Sequence, residues 1–306
     1  MQDIGFYLLT TLKAIPYFVV LCGAIVLGKL AYVRTSQFSV DDELTKEDNP
    51  ALGITVALYM LGLGIAVSGT VARGIGYDDP LVLVPVILFS LVSIGMMRLS
   101  VFVNDKLILN RFHTVKELVE DRNCGTAFVV GGGCVATGFI IHASWTVTTL
   151  GETFLVRVGT GLLLSLLYFV LGQLLLVLGG KVYELITPYD VHKSIEEDDN
   201  TAVGLSFCGF LVGLGIIGWR AIFRSTEDVL ADVLIALWIM ILGLILMVAT
   251  RILADNIILP QRPLVKEVAE QQNVAAGAIV CICFIAIAIV YVIVLPVPGP
   301  PGVTNP

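Results

Sequence analysis

The sequence predicts an all-α integral membrane protein with eight transmembrane helices, built as four parallel-oriented two-helix repeats. Three observations lead to this prediction: a hydrophobic composition, eight long apolar runs, and one polar-to-apolar lead-in that occurs four times. Of the 306 residues, 57% are hydrophobic and 14% are charged, whereas about 25% of the residues of an average soluble domain are charged. The pair of soluble domains that the length alone would suggest is therefore excluded.

The apolar runs define the predicted spans in chain order. A run of about 18 uncharged residues is long enough to cross the hydrocarbon core of a bilayer. The first predicted span, residues 5–33, contains Lys13 and is otherwise uncharged through Gly28. The other seven are residues 49–72, 80–97, 123–151, 158–180, 200–219, 233–250 and 271 to the C-terminus. Because the start Met-Gln-Asp lacks the basic segment of a cleaved signal peptide, we expect the first span to stay as a helix.

The repeated lead-in is an asparagine that follows a polar loop and precedes an uncharged segment. The four copies are Asn49, Asn123, Asn200 and Asn273, at intervals of 74, 77 and 73 residues. Five residues before each asparagine stands a branched apolar residue, namely Leu44, Leu118, Ile195 and Val268. A fixed period indicates a repeated structural unit. We therefore divide the chain into repeats 1–76, 77–150, 151–226 and 227–306, the last with a proline-rich tail, and into pseudo-symmetric halves 1–150 and 151–306.

Each repeat holds two spans, which decides how the copies are oriented. An even number of crossings leaves every copy pointing the same way, so the repeats should be related by axes along the membrane normal. The inverted repeats of many secondary transporters are not expected.

Small residues recur at offsets of 4, 8 and 15 from the asparagines, on one side of each predicted helix. This helix-packing stripe consists of Gly53, Gly64, Ala127, Gly131, Gly138, Gly204, Cys208, Gly215, Gly277 and Cys281. Because lipid offers no hydrophobic drive for helix association, close backbone approach over small residues supplies the contact. The stripe therefore predicts packing among the second helices of the repeats; the alternative is that it lines a permeation path.

The four asparagines themselves allow two interpretations. Asparagine is a strongly preferred helix N-cap, so the repeat motif can cap a new helix and anchor the interface. Alternatively, four amides at four positive helix ends would form a polar ring at the cytoplasmic mouth of a pathway and favour anions. The sequence also leaves open whether each asparagine starts a new helix or lies within a continuous one.

Short helices are predicted at the membrane surface before each asparagine. Thr114 and Glu117 have the spacing of a capping box. Ser39, Asp190 and Pro263 fall within one residue of the same register in the other copies, and all three residue types favour a helix start.

The chemistry-bearing residues predict no enzyme. Lys13, Arg98, Arg157 and Asp232 are placed near span ends, His142 at the outer interface, and His113 and His192 in loops. The six cysteines form no CxxC pair and are interpreted as small apolar residues. We find no nucleophile–base pair, nucleotide motif, metal-ligand spacing or basic stripe, so no catalytic residue, cofactor, metal or nucleic-acid partner is predicted.

Basic residues predict the orientation. The four longer loops and their flanks carry 13 Lys and Arg, and the opposite side carries five. The positive-inside rule places the longer loops in the cytoplasm and both termini outside. Acidic residues crowd the same loops, 18 of 25, and include the run Glu196–Asp199.

The asparagine-led apolar segment, its glycine stripe and the paired two-span units together resemble the YjfL/YshE-like transmembrane family, a domain of unknown function, here in a doubled form. The fourth copy departs most, with Gln271-Gln272 and Ala288, and the third has Ser194 where the others have Glu43, Glu117 and Glu267. The resemblance implies a bacterial inner-membrane protein associated with envelope-stress genes and polyamine-related enzymes, and no reaction.

Two functions follow as expectations. The first is a structural or scaffolding role in envelope maintenance or membrane stress, in which the acidic loops dock a cytoplasmic protein. The alternative is a channel or facilitator for a small ion or solute between the repeats. The lipid bilayer is the expected partner in both cases, and homo-oligomerisation stays open.

Overall fold

The computed structural model describes residues 2–72, 82–111, 113–145, 153–223, 228–257 and 263–295. All regular structure in these ranges is helical. In chain order the elements are α1 (Gln2–Thr35), α2 (Val40–Thr45), α3 (Pro50–Ser68), α4 (Leu83–Leu107), α5 (Thr114–Val119), α6 (Cys124–Ser144), α7 (Phe154–Ile186), α8 (Val191–Glu196), α9 (Thr201–Ile222), α10 (Val229–Ile257), the π-helical turn π1 (Lys266–Glu270) and α11 (Val274–Val294). The predicted repeat boundaries at 76/77, 150/151 and 226/227, and the proline-rich tail, lie outside the described residues.

Eight of these helices are long and apolar enough to cross a membrane: α1, α3, α4, α6, α7, α9, α10 and α11. The prediction of an all-α protein with eight spans is confirmed. Several helices extend past the apolar runs that predicted them. For example, α7 starts at Phe154, before Arg157, and ends at Ile186, after Lys181. A helix continues into the polar headgroup region, where long basic side chains are tolerated, so counting uncharged residues underestimates its length.

The spans form two layers. We call α3, α6, α9 and α11 the second helices; they pack side by side in that order, and α1, α4, α7 and α10 lie against this row. Gly62 of α3 lies beside Cys134 of α6, and Gly69 beside His142. Because these contacts follow the same order along both helices, α3 and α6 run parallel. All four second helices therefore begin at one end of the bundle, called here the loop side, where α2, α5, α8 and π1 lie.

The second helices contact one another through two different sets of small residues. The predicted stripe on one helix packs against a second set on the preceding helix, found 2, 9 and 13 residues after its asparagine. The closest pairs are Gly138 with Gly62, Gly215 with Ala136, Gly204 with Gly125, Gly277 with Ala202, Cys208 with Gly132, and Cys281 with Gly209. At each pair a Cβ on the glycine would collide with its partner, so the backbones of the row are in direct contact.

The remaining stripe residues show where the row begins. Gly131 of α6 packs on Leu58 of α3, and Ala127 shares a small buried cluster with Ala51. In α3 the stripe meets no second helix: a Cβ on Gly64 would lie 3.6 Å from Ile25 Cδ1 of α1. A Cβ on Gly53 would lie 4.0 Å from Leu44 Cδ2 of α2.

We expect Gly138→Ala to destabilise the protein, because the new Cβ would meet the backbone of Gly62 and force α3 and α6 apart. Overpacking of this kind costs about 1–3 kcal/mol. The matched control is Gly95→Ala on α4, where nothing lies within 4 Å of the added atom and helix propensity favours alanine by about 1 kcal/mol. Thermal unfolding of the purified protein in detergent measures both; equal midpoints would contradict the packing described here.

Candidate functional site: the asparagine ladder and a polar cavity

The asparagine ladder, which we define as Asn49, Asn123, Asn200 and Asn273, lies on the loop side and starts the four second helices. Each side-chain oxygen accepts a hydrogen bond from the backbone N–H three residues later. The four bonds are Leu52 N to Asn49 Oδ1 (3.1 Å), Thr126 N to Asn123 Oδ1 (3.0 Å), Val203 N to Asn200 Oδ1 (3.1 Å) and Ala276 N to Asn273 Oδ1 (3.2 Å). These are N-caps, which satisfy backbone donors that the first helical turn leaves free.

The chain turns sharply before each asparagine. The preceding residues Asp48, Arg122, Asp199 and Gln272 all have φ between 48° and 52°, in the left-handed region that non-glycine residues seldom adopt. The asparagine N–H then donates to the carbonyl six residues earlier, for example Asn49 N to Glu43 O at 3.0 Å. Each asparagine therefore starts a new helix, which the sequence left open.

The side-chain amide of each of the first three asparagines reaches the next surface helix. Asn49 Nδ2 donates to Leu118 O (2.9 Å), Asn123 Nδ2 to Ile195 O (2.5 Å) and Asn200 Nδ2 to Val268 O (2.9 Å). The acceptors are the branched apolar residues found five positions before the following asparagine. The same side chain thus caps its own helix and ties it to its neighbour.

Three buried or half-buried glutamates complete the ladder. Glu43, Glu117 and Glu267 each accept a 3.0 Å hydrogen bond at Oε2 from the asparagine six residues later. In the third copy Ser194 replaces the glutamate, and Asn200 Nδ2 donates instead to a second carbonyl, Ala269 O, at 3.2 Å. The departure noted in the sequence is therefore compensated by the backbone.

These contacts connect the ladder in a row. Asn49 and Asn273 belong to α3 and α11, the two ends of the row of second helices. Asn273 belongs to the fourth repeat, and its amide donates to Glu267 Oε2. The geometry matches the capping interpretation, and the polar ring stays a prediction.

The capping-box prediction for α5 was wrong. The N-cap is His113, which makes no side-chain cap bond, and the Thr114 hydroxyl is buried without a hydrogen-bond partner. Glu117 does not turn back to the helix start because its carboxylate accepts from Asn123. Ser39 and Asp190 do cap α2 and α8, accepting from Asp42 N at 3.3 Å and Lys193 N at 3.1 Å.

Histidine and arginine side chains anchor other helix ends. His192 is a buried residue of α8, not a loop residue as predicted, and its Nε2 lies 2.9 Å from Glu184 Oε1. His142 Nδ1 lies 3.1 Å from Ser68 Oγ, where α6 meets α3. At the opposite side to the ladder, Arg220 donates to Val292 O (3.2 Å) and Leu295 O (3.1 Å), which are carbonyls at the end of α11.

A cavity of about 240 Å³, mostly apolar but with several polar side chains in its lining, lies on the loop side of the first half, between α1, α4, α5 and α6; we call it the polar cavity. Its lining includes Tyr32, Arg98, Asn104, Thr114 and Gly133. A second cavity of about 310 Å³ lies toward the loops and shares Thr114 in its lining. Sequence reasoning missed this convergence, because it placed Arg98 near a span end. The helix α4 continues to Leu107, nine residues beyond.

We expect Asn123→Ala to destabilise the protein more than Asn273→Ala. Both lose an N-cap, worth about 1 kcal/mol. Only Asn123→Ala also removes the donor to Ile195 O of the following repeat, and a buried acceptor left without its donor adds about 1–3 kcal/mol. Chemical unfolding in detergent, monitored by circular dichroism, measures the difference. Equal losses in the free energy of unfolding would show that the Asn123 amide does not stabilise the contact between repeats.

The free energy of unfolding should depend on pH through the carboxyl group of Glu117. Its side chain is 2% exposed. Burial raises the pKa of the Glu117 carboxyl, and the hydrogen bond from Asn123 only partly offsets this. Between the unfolded-state and folded-state pKa values the folded state binds more protons, so the free energy of unfolding falls as pH rises through that window and recovers as pH falls.

Glu117→Gln should remove this dependence, because glutamine keeps an acceptor for Asn123 and does not ionise. The measurement is the free energy of unfolding from about pH 4 upward, since an unperturbed glutamate titrates near 4.3. The exposed Glu120→Gln is the control, and it should leave the wild-type slope unchanged. Parallel curves for wild type and Glu117→Gln would contradict the assignment.

The fold and the ladder can be set beside known proteins. No curated protein and no solved structure matches this chain. A family model described as Domain of Unknown Function (DUF350) matches twice, at residues 6–145 and 157–295. The two matches cover nearly the whole chain and support the internal repeat seen in the sequence. The chain therefore belongs to the DUF350 family and contains two copies of its domain.

Proposed function

We propose that this protein is a scaffold of the bacterial inner membrane, in which a rigid helical row holds four acidic surface helices in fixed positions for a basic cytoplasmic partner in envelope maintenance. The observation that carries the proposal is the asparagine ladder. Its amides bond Asn49 to Leu118, Asn123 to Ile195 and Asn200 to Val268. Neighbouring surface helices are thereby held at a constant spacing, which suits docking.

The exposed surface of these helices supports a basic partner. Over residues 40–49, 114–123, 191–200 and 264–273, eleven acidic and five basic residues are exposed. The acidic ones are Asp41, Asp42, Glu47, Asp48, Glu120, Asp121, Glu196, Glu197, Asp198, Asp199 and Glu270. A surface of one predominant sign attracts partners of the opposite sign. The longer loops and their flanks carry 13 Lys and Arg, against five on the opposite side of the membrane. By the positive-inside rule this distribution supports a cytoplasmic location for the loops.

The alternative of a channel between the repeats has less support. A pathway between second helices would need their backbones to separate, whereas Gly138 meets Gly62 and Gly204 meets Gly125 at backbone contact. Most residues of α6 and α9, in the middle of the row, are buried. Moving ions through this layer would require opening several equivalent close contacts at once.

The docking proposal is tested with the triple variant Glu196→Gln, Glu197→Gln, Asp198→Asn. Asp199 is kept, because its Oδ1 accepts a 2.9 Å hydrogen bond from Asn123. We expect proteins retained by the wild type on affinity purification from bacterial membranes to include one basic partner, and the triple variant to lose it. Quantitative mass spectrometry measures the retention.

The matched control changes the basic residues of the same region, Lys181→Gln and Lys193→Gln, which alters a similar surface with the opposite effect on charge. This control should retain the partner or strengthen its binding. Retention by the triple variant, or the absence of a partner specific to the wild type, would overturn the proposal. Added salt should weaken the wild-type interaction, because exposed charges are screened.

A further inference from the structure

The polar cavity of the first half contains a guanidinium that no carboxylate of the described residues neutralises. The Arg98 guanidinium carbon lies 4.9 Å from the centre of the Tyr32 ring, and its Nη1 is buried without a hydrogen-bond partner. Within the described part of the chain, no carboxylate forms an ion pair with Arg98. An ionised group inside a span is costly unless it is paired.

Two further polar groups of the cavity lining are also unpartnered. Asn104 is 8% exposed and Thr114 is 9% exposed, and neither Asn104 Oδ1 nor the Thr114 hydroxyl has a hydrogen-bond partner. Buried polar groups in native proteins are nearly always satisfied. Three unsatisfied groups from α4 and α5 around one cavity are therefore best explained by a ligand that satisfies them.

The outer cavity connects this cluster with the loop side. Its lining includes Lys106 and Arg111. These basic residues already pair with carboxylates, Lys106 with Asp105 at 3.5 Å and Arg111 with Asp190 at 3.2 Å. An anion that enters here would find Arg98, deeper in the bundle, as a guanidinium not engaged by a carboxylate.

The second half fills the corresponding place differently. Asn273 follows Asn123 by 150 residues, and α10 ends 150 residues after α4. In that register Val248, Ala254 and Leu264 replace Arg98, Asn104 and Thr114. The counterpart of Tyr32 is Tyr183, which stacks on Phe207 at 4.6 Å and lies 4.9 Å from the ring of Phe210.

The second half does carry an arginine nearby, Arg251, at the position of Val101. It is buried and has an interaction of its own. The fold is therefore compatible with apolar residues at the positions of Arg98, Asn104 and Thr114, and these three polar side chains are not needed to build the bundle. This difference indicates that Arg98, Asn104 and Thr114 serve a ligand.

We propose that the cavity beside Arg98 binds a small organic carboxylate that also carries a hydroxyl group. The carboxylate would accept from Arg98 Nη1, the ligand hydroxyl would donate to Asn104 Oδ1, and the Thr114 hydroxyl can complete either interaction. The apolar lining, which includes Phe38, Val129 and Leu118, suits a short alkyl body. The volume of about 240 Å³ is below the 300–1,000 Å³ typical of drug-sized sites, so a small metabolite is the appropriate class.

The experiment is calorimetric titration of the full-length protein in phosphatidylcholine nanodiscs with four probes: 2-hydroxybutyrate, butyrate, 2-hydroxybutyramide and inorganic phosphate. We expect 2-hydroxybutyrate to bind best, butyrate to bind more weakly because it leaves Asn104 unsatisfied, and the uncharged amide not to bind. Failure of 2-hydroxybutyrate to bind the folded wild type overturns the proposal. Phosphate binding at least as tightly overturns the choice of carboxylate.

Variants assign the binding to this cavity. Arg98→Gln should weaken 2-hydroxybutyrate binding by about tenfold or more, since a hydrogen bond to a charged group is worth about 1.5–3 kcal/mol. Thr114→Leu, which installs the residue of the second half, should fill the cavity and abolish binding while the protein stays folded. Lys116→Gln, an exposed residue of α5 outside the lining of both cavities, is the control and should retain binding. Unchanged affinity in Arg98→Gln and Thr114→Leu would overturn the site.

Discussion

The side-chain amides of the asparagine ladder hold the neighbouring repeats together. The asparagine oxygen caps its own helix, as in Asn123 with Thr126 N, while the nitrogen of the same group donates to the backbone of the next repeat, as in Asn123 with Ile195 O. Aspartate would keep the cap and lose the donor, and glutamine has a longer side chain with more rotamer freedom to lose. Local structure and tertiary packing therefore depend on the same residue, in each of the first three repeats.

The ladder also sets the register deeper in the bundle. At the loop side Gly204 meets Gly125, and further along Gly215 meets Ala136. In both contacts the later helix contributes a residue two positions farther from its asparagine than the earlier helix does. The reciprocal contacts have the opposite offset: a Cβ on Gly125 would meet Asn200 O, and a Cβ on Gly62 would meet Cys134 O. Because Cβ atoms tilt toward the helix N-terminus, the two offsets cancel, and neighbouring second helices run level with each other. The same interface therefore repeats along the row.

The sequence predicted the parts that depend on length and periodicity: eight spans, the four repeated asparagines ahead of the second spans, and one face of the packing stripe. It left open whether each asparagine starts a new helix. It missed the second set of small residues because that set is not small in every repeat. Leu58 and Ile282 stand at offset 9, where Gly132 and Gly209 make the contacts in the middle. It also missed the cavity, because Arg98 and Thr114 come from separate helices and only their tertiary positions bring them together.

The two halves surround their equivalent tyrosines, Tyr32 and Tyr183, with different side chains. In the second half Tyr183 packs among Phe207, Phe210 and Phe284, and aromatic burial of this kind stabilises a bundle. In the first half the Arg98 guanidinium lies over the equivalent tyrosine, Tyr32. This cation–π contact is favourable, but a guanidinium that no carboxylate neutralises inside a span costs free energy. A duplicated domain can confine such a cost to one copy, since the other copy and the shared row of second helices supply the packing. The unequal halves therefore fit a doubled domain in which one copy carries the polar cavity.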